Sequence, residues 1–170
     1  MKHRLHVLLL WLWKRLPLPC WGRWAVLALS NTRFLVGVVG IVFDEQERVL
    51  ILHHTYRQRY PWGLPGGWVS GSERLEDGLQ RELREETGFD IAVGEVVYVR
   101  SGYPRPQVTI HFLCTYRGGD FHPDAEIDEA RFCALDALPA AILPDHRPMI
   151  ELALARKHAR ESNETKGVKE

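Results

Sequence analysis

The sequence predicts an α+β fold in which a mixed sheet lies between helices, and three observations point there. Runs of strand character outnumber helical stripes. The two kinds of segment do not alternate in the regular βαβ order that a wholly parallel sheet requires. The composition, 45% hydrophobic and 26% charged over 170 residues, suits one globular domain with one sizeable core.

From the start of the chain, Leu5, Leu8, Leu9, Leu12 and Leu16 recur at helical spacing, with Lys2, Lys14 and Arg15 outside the stripe. Val7, Leu10, Trp11 and Trp13 carry the apolar face almost all the way round, and Pro17 and Pro19 stop the helix expected over 3–16. The segment from Cys20 to Asn31 reads equally as a second short helix or a loop. Phe34 to Phe43 is a β-branched apolar run with the look of a buried strand. Asp44 to Glu47 supplies a turn, and Val49 to His53 the returning strand. Gly63, Pro65, Gly66 and Gly67 punctuate a loop. Leu75, Leu79 and Leu83 then mark one stripe of a helix, with Ser72 as candidate N-cap and Gly88 placed for a left-handed C-terminus. Strands are expected around Ile91–Arg100, Val108–Tyr116 and Ala130–Ala134, and a final helix from about Asp145 to Arg160. The expected organisation is a basic, Trp-rich extension over 1–31, a main domain over 32–160, and a disordered polar tail over 161–170.

Charge and cysteine usage exclude several classes. Net charge is zero, so no broad basic surface for duplex nucleic acid is expected. The balance is uneven: the first 33 residues hold six bases and no acid, and the rest holds 22 acids against 16 bases. Cys20, Cys114 and Cys133 are too few and too scattered for a disulfide framework, and no spacing suggests zinc. Cys114 and Cys133 read as small core hydrophobes, and a reducing cytoplasm is the simplest compartment. No apolar run approaches the roughly 18–20 residues of a membrane-spanning helix.

The chemistry is carried by Gly67 to Phe89. Glu82, Glu85 and Glu86 stand at i, i+3 and i+4, so their carboxylates share one helical face. Like charges at that spacing cost a helix about 0.2–0.5 kcal/mol per pair, a liability that a hard divalent cation with oxygen ligands would remove. On their own the three acids read as a solvated face, paired loosely with Arg74, Arg81 or Arg84. The wider spacing decides otherwise. A Gly, five residues, Glu, seven residues, then Arg-Glu-apolar-x-Glu-Glu-x-Gly-apolar is met without exception by Gly67, Glu73, Arg81, Glu82, Leu83, Glu85, Glu86, Gly88 and Phe89. From average composition a chance match is on the order of 10⁻⁷ over the chain.

That pattern resembles the signature of the Nudix hydrolases, and the resemblance extends over roughly residues 34–155. It implies an α/β/α sandwich with a loop–helix–loop metal site. It further implies Glu82, Glu85, Glu86 and the Gly66 carbonyl as ligands of Mg²⁺, with Mn²⁺ as a substitute. By the same resemblance Arg81 orients a glutamate, Glu73 acts behind the ligands, and a loop acid completes the site; Asp124, Glu126 and Glu129 are candidates, with Glu126 favoured. Glu82 is the simplest acceptor for a water proton. Gly78 departs from the alanine common in the family.

The implied reaction is cleavage of a diphosphate in a small nucleotide substrate. Pro104, some fifteen residues beyond the box, is a family cue for ADP-ribose-type substrates and reads equally as a hairpin proline; the substrate lean is ADP-ribose or a nucleotide sugar. The alternatives are a (d)NTP or damaged-nucleotide pyrophosphohydrolase, a silent nucleotide-binding domain, and a prenyl diphosphate isomerase, which the intact box disfavours. Tyr56, Tyr60, Trp62, Trp68 and Tyr103 are candidates to stack on a base, and Arg57, Arg59 and Arg105 to meet phosphates. His53, His54, His111 and His146 have no metal-ligand spacing and receive no role. The 1–31 extension suits packing on the acidic body or on a homodimer partner, ahead of a membrane interface.

Overall fold

β1 (Leu35–Phe43) is apolar along its length because both of its faces are covered. Val38 and Val42 enter one apolar cluster, and Ile41 and Phe43 enter another on the opposite side. The computed structural model describes residues 19–102 and 105–167. β2 (Val49–His54) returns through a turn in which Asp44 Oδ1 accepts the N–H of Gln46 at 2.9 Å and of Arg48 at 2.8 Å. Only Phe43 and Val49 stand in register between these two strands.

Beyond that pair the partners change, and the change makes room for the site. β1 pairs through Gly37–Val39 with β4 (Gly66–Trp68), while Leu52 and His53 of β2 pair with β3 (Trp62–Gly63). On its other edge β1 runs parallel to β6 (Gln107–Gly118), from Leu35 opposite Gln107 to Phe43 opposite Thr115. β6 pairs antiparallel with β5 (Asp90–Ser101), and β2 antiparallel with β7 (Ile127–Cys133). The result among the described residues is a seven-stranded mixed sheet. β3 and β4 fall where the sequence predicts a loop. Each is three residues or fewer and glycine-bearing, so no alternation announces it.

Residues 1–34 and 35–170 form two units. In the first, Cys20–Ser30 is helix α1, which settles the ambiguity of that segment. The helix expected over 3–16, and with it every question of what the extension packs on, lies outside the described residues. In the second unit, α2 (Leu75–Thr87) places Leu79 and Leu83 against Val38, Val42, Leu50 and Phe112. α3 (His146–Gly167) sets Ile150 and Ala153 against Ile41, Phe43, Val49 and Ile51 on the other face. This is the expected sandwich, with each fully buried Leu or Ile contributing about 1.5–3 kcal/mol.

Two boundaries differ from the sequence reading and one agrees. The residue before α2 is Arg74, not Ser72, and its side chain makes no capping bond. Gly88 does take the left-handed conformation, φ 77°, and its N–H reaches the Arg84 carbonyl. α3 continues past Arg160 to Gly167, so residues 161–167 of the expected disordered tail are helical. The extra turns hold Lys157 and Glu161 as an i,i+4 pair at 3.6 Å, and Ser162 Oγ donates to the His158 carbonyl at 2.8 Å. No described helix is long and apolar enough to cross a membrane.

Candidate active site

Arg81 organises the acids of α2. Its Nε and Nη2 donate to the two Glu73 oxygens at 3.1 and 2.9 Å, and its Nη1 donates to Glu82 Oε1 at 2.9 Å and Glu85 Oε2 at 3.0 Å. Glu73 lies in the loop before the helix and also accepts the Ser70 N–H at 2.7 Å. The Arg81 bonds and then the Ser70 bond hold the Glu73 carboxyl down at about 2, and Glu73 and Glu82 in turn raise Arg81. Glu73 therefore clamps the guanidinium, which in turn fixes the rotamers of Glu82 and Glu85. Arg74 and Arg84 pair elsewhere, with Glu76 and Asp90.

Gly78 is part of that clamp. A Cβ there would stand 3.2 Å from Glu73 Oε1 and 3.5 Å from Val69 Cγ2, tighter than ordinary packing on the carboxylate side. The departure from alanine thus gives Glu73 room beside the helix.

The acids open into a cleft of about 360 Å³ bounded by Gly66, Gly67, Trp68 and Tyr56, with Glu82, Glu85 and Glu86 along the helix side. Two loop acids close it, Asp124 and Glu126. Asp124 is committed to its own turn, where Oδ1 accepts the N–H of Glu126 and of Ile127, each at 2.7 Å. Glu129 lies on β7 and pairs with Arg131, away from the cleft. Of the three loop candidates, Glu126 is thus the cleft acid whose carboxylate is not spent on a turn or an arginine.

Glycine at 66 and 67 is dictated by contact. A Cβ on Gly66 would lie 2.2 Å from the Val38 carbonyl oxygen, and one on Gly67 would lie 2.3 Å from the Glu82 carboxylate. The β4 backbone can approach Val38 and Glu82 this closely only because these side chains are missing.

Glu86 is the most strained of the acids. Oε2 is buried and has no hydrogen-bond partner. Burial, then the charges of Glu82, Glu126 and Asp124, push its carboxyl up to about 7, against a smaller opposing pull from Arg57. An unpaired buried carboxylate among like charges fits a cation. Among the described residues no three or more His, Cys, Asp or Glu side chains stand close enough together to hold a metal ion on their own. Mg²⁺ keeps several waters and is bound by one or two carboxylates plus substrate phosphates, so an open arrangement of this kind suits it.

The aromatic candidates divide. Tyr56 and Trp68 are at the cleft and exposed, whereas Trp62 is buried in the α3-side core under Arg131. Tyr60 stacks with Arg59. Tyr103 and Pro104 lie outside the described residues. The Pro106 carbonyl accepts the Leu35 N–H at 2.9 Å and anchors the start of β1.

A second cavity, of about 580 Å³, lies against the α3 face of the sheet between β5, β6 and the start of α3. Its polar lining includes Gln107, Thr109, His111 and His146, and Arg100 pairs with Asp145 beside them. His111 is buried with Nδ1 unpartnered, and burial lowers its pKa. His146 Nδ1 accepts the Leu64 N–H at 2.9 Å, and burial holds it down at about 4. Sequence reasoning gave these histidines no role because it sought metal spacing. What distinguishes them is burial, which no local pattern encodes.

The NUDIX domain family model matches residues 33–153. An ADP-ribose pyrophosphatase of Methanocaldococcus jannaschii is 30% identical over 120 residues, covering 68% of this chain and 70% of that protein. An 8-oxo-dGDP phosphatase of Danio rerio is 35% identical over 101 residues, 59% of this chain but 30% of its own length. The crystal structure of an ADP-ribose pyrophosphatase from Streptococcus suis superposes with a TM-score of 0.62 at 26% identity, covering 74% of this chain and 92% of that one. The chain spans between 25% and 58% of the length of the first four curated relatives it matches.

Proposed function

The chain belongs to the NUDIX domain family, and from that premise we propose that it is a Mg²⁺-dependent pyrophosphohydrolase cleaving the diphosphate of a nucleoside diphosphate joined to a second group. The observation that carries the reading is the cleft where Glu82, Glu85, Glu86 and Glu126 converge around a buried, unpaired Glu86 oxygen. Glu82, Glu85, Glu86 and the Gly66 carbonyl would hold the metal, which when bound would neutralise diphosphate charge and make a nearby water easier to deprotonate. Arg81 keeps Glu82 in one rotamer through Oε1, so that its other oxygen faces Gly67 and accepts the proton of the attacking water. Glu73 positions Arg81, and Glu126 adds charge from the opposite wall. Trp68 and Tyr56 border the cleft with exposed rings, free to meet the substrate.

The substrate lean is ADP-ribose or a nucleotide sugar, supported by the M. jannaschii and S. suis relatives. The second reading, a damaged-nucleotide hydrolase, draws support from the D. rerio relative. In either case the 580 Å³ cavity, where Arg100 and Asp145 neutralise each other beside uncharged polar groups and Val39, Leu143 and Met149, suits a nucleoside better than a phosphate. A panel of ADP-ribose, nucleotide sugars, dinucleoside polyphosphates and dNTPs assayed with Mg²⁺ decides. AMP released from ADP-ribose supports the lean, and pyrophosphate released from a dNTP selects the second reading. Turnover of none of them ends the hydrolase assignment.

A further inference from the structure

α1 begins behind Pro19, whose carbonyl accepts the Gly22 N–H at 2.9 Å, and runs for 11 residues. Trp21, Trp24, Ala25 and Leu29 stand at i, i+3, i+4 and i+8, which places them on one face of the helix. That face is open. Trp21 is 75% exposed, Trp24 72% and Leu29 84%, and Ala25 is exposed with them. Tryptophan carries one of the largest apolar surfaces of any side chain. Two of them beside a leucine on one short helix make a continuous apolar patch, not a scatter of single surface residues.

Charge says what meets the patch. The first 33 residues hold six bases, Lys2, Arg4, Lys14, Arg15, Arg23 and Arg33, and no acid, which makes them +6. The rest of the chain holds 22 acids against 16 bases, or −6. A cationic segment with an aromatic face suits a surface that offers anions above hydrocarbon. A carboxylate-rich protein surface would satisfy the charge, but it gives a tryptophan ring no hydrocarbon to enter. An anionic bilayer supplies both. The indole N–H stays among the headgroups while the ring enters the acyl boundary. At 11 residues the helix is about 16 Å long, roughly half the hydrocarbon thickness of a bilayer, so its place is in the interface and not across it.

We propose that α1 is an interfacial anchor that seats this chain on anionic lipid, with Trp21, Trp24, Ala25 and Leu29 entering the acyl boundary and the bases of residues 1–33 supplying the attraction. The net negative charge of residues 34–170 disfavours contact through the rest of the chain, so attachment falls to the first unit. The anchor does not rest on the hydrolase reading.

The test is co-flotation of the full chain with vesicles of phosphatidylcholine alone, and with vesicles of phosphatidylcholine and phosphatidylglycerol in equal parts. Wild type is expected to float with the mixed vesicles, to stay behind with phosphatidylcholine alone, and to leave the mixed vesicles as salt is raised. Trp21→Ser combined with Trp24→Ser is expected to lower the partition coefficient about tenfold or more, with native circular dichroism. Arg23→Gln combined with Arg33→Gln should lower it about fivefold for each base removed. Should the double tryptophan variant fail to fold, Leu29→Ser decides in its place, with a fall in partitioning expected there too. Wild type that ignores the mixed vesicles overturns the anchor, and so does wild-type partitioning of the folded tryptophan variant, or of Leu29→Ser where that variant decides. Equal flotation on both kinds of vesicle overturns the choice of anionic lipid. A wild-type dimer that ignores vesicles and becomes a monomer in the tryptophan variant assigns the face to a second copy of the chain and overturns the anchor as well.

Discussion

Gly67 shows how little separates a working site from a blocked one at the scale of a residue. A methyl group there would overlap the Glu82 carboxylate, so Gly67→Ala is expected to push Glu82 off its Arg81-held rotamer. Turnover should fall by about two orders of magnitude, the cost of a misplacement near 1 Å, with little change in secondary structure by circular dichroism. Glu82→Gln keeps the shape and removes the charge and the proton acceptor. Its kcat should fall by about 10²–10⁴, and near-normal turnover would refute the role given to Glu82. Glu73, Gly67 and the three carboxylates of α2 were legible from spacing, because a motif is a list of positions on one helix and its flanking loop. Arg57 was legible only as one arginine among several. Nothing in the residues around it says that its guanidinium is buried over Gly63.

On the scale of an element, α2 is built to serve the clamp at some cost to itself. Glycine within a helix costs about 1 kcal/mol relative to alanine, yet Gly78 closes the first turn of α2, where Glu73 gains by it. Gly78→Ala is therefore expected to recover less than that ~1 kcal/mol in urea unfolding, because the new methyl crowds the Glu73 carboxylate. In a Glu73→Ala background the same change should recover the whole amount, and simple additivity of the two substitutions would contradict the clamp. Leu83, fully buried on the core side of the helix, has no such conflict. Leu83→Ala should cost about 2–5 kcal/mol of stability. The stripe and the C-terminal Gly88 announced this helix correctly because both are local signals. The N-terminus misled: Ser72 has the chemistry of a cap, but the Ser70–Glu73 bond sets the helix start two residues later.

Across the whole molecule, the buried histidines set the response to acid. His54 and His146 titrate near 3 and 4 in the fold, below the ordinary histidine value, so they are neutral when folded and take up protons when unfolded. Their contribution to stability is complete above about pH 6.5 and is lost as pH falls below it, by about 1.4 kcal/mol per pH unit for each proton involved. The raised Glu86 works in the opposite sense and offsets part of this slope. Urea unfolding at pH 7.5 and pH 5.5 should show the loss, and His54→Gln should flatten it. A curve that is level or rises toward acid in the wild type would rule this account out. Mg²⁺ should raise the melting temperature, by the equivalent of about 2.7 kcal/mol at a hundredfold excess over its dissociation constant. Glu86→Gln should lose most of that gain, and an equal rise in the variant would remove Glu86 from the ligand set.

The residues alone pointed to the family and fixed the helix face on which the acids stand, because both depend on spacing along a few turns of chain. They settled the order of the long strands and helices for the same reason. Tertiary structure alone decided the rest. β3 and β4 exist only because β1 and β2 part company after one registered pair, and short glycine-bearing strands take their identity from partners distant in the chain. Glu126 rather than Glu129 reaches the cleft because β7 pairs with β2 in one register. His54, His111 and the tip of Arg57 are buried only through packing, a property of the folded chain that composition and periodicity do not contain.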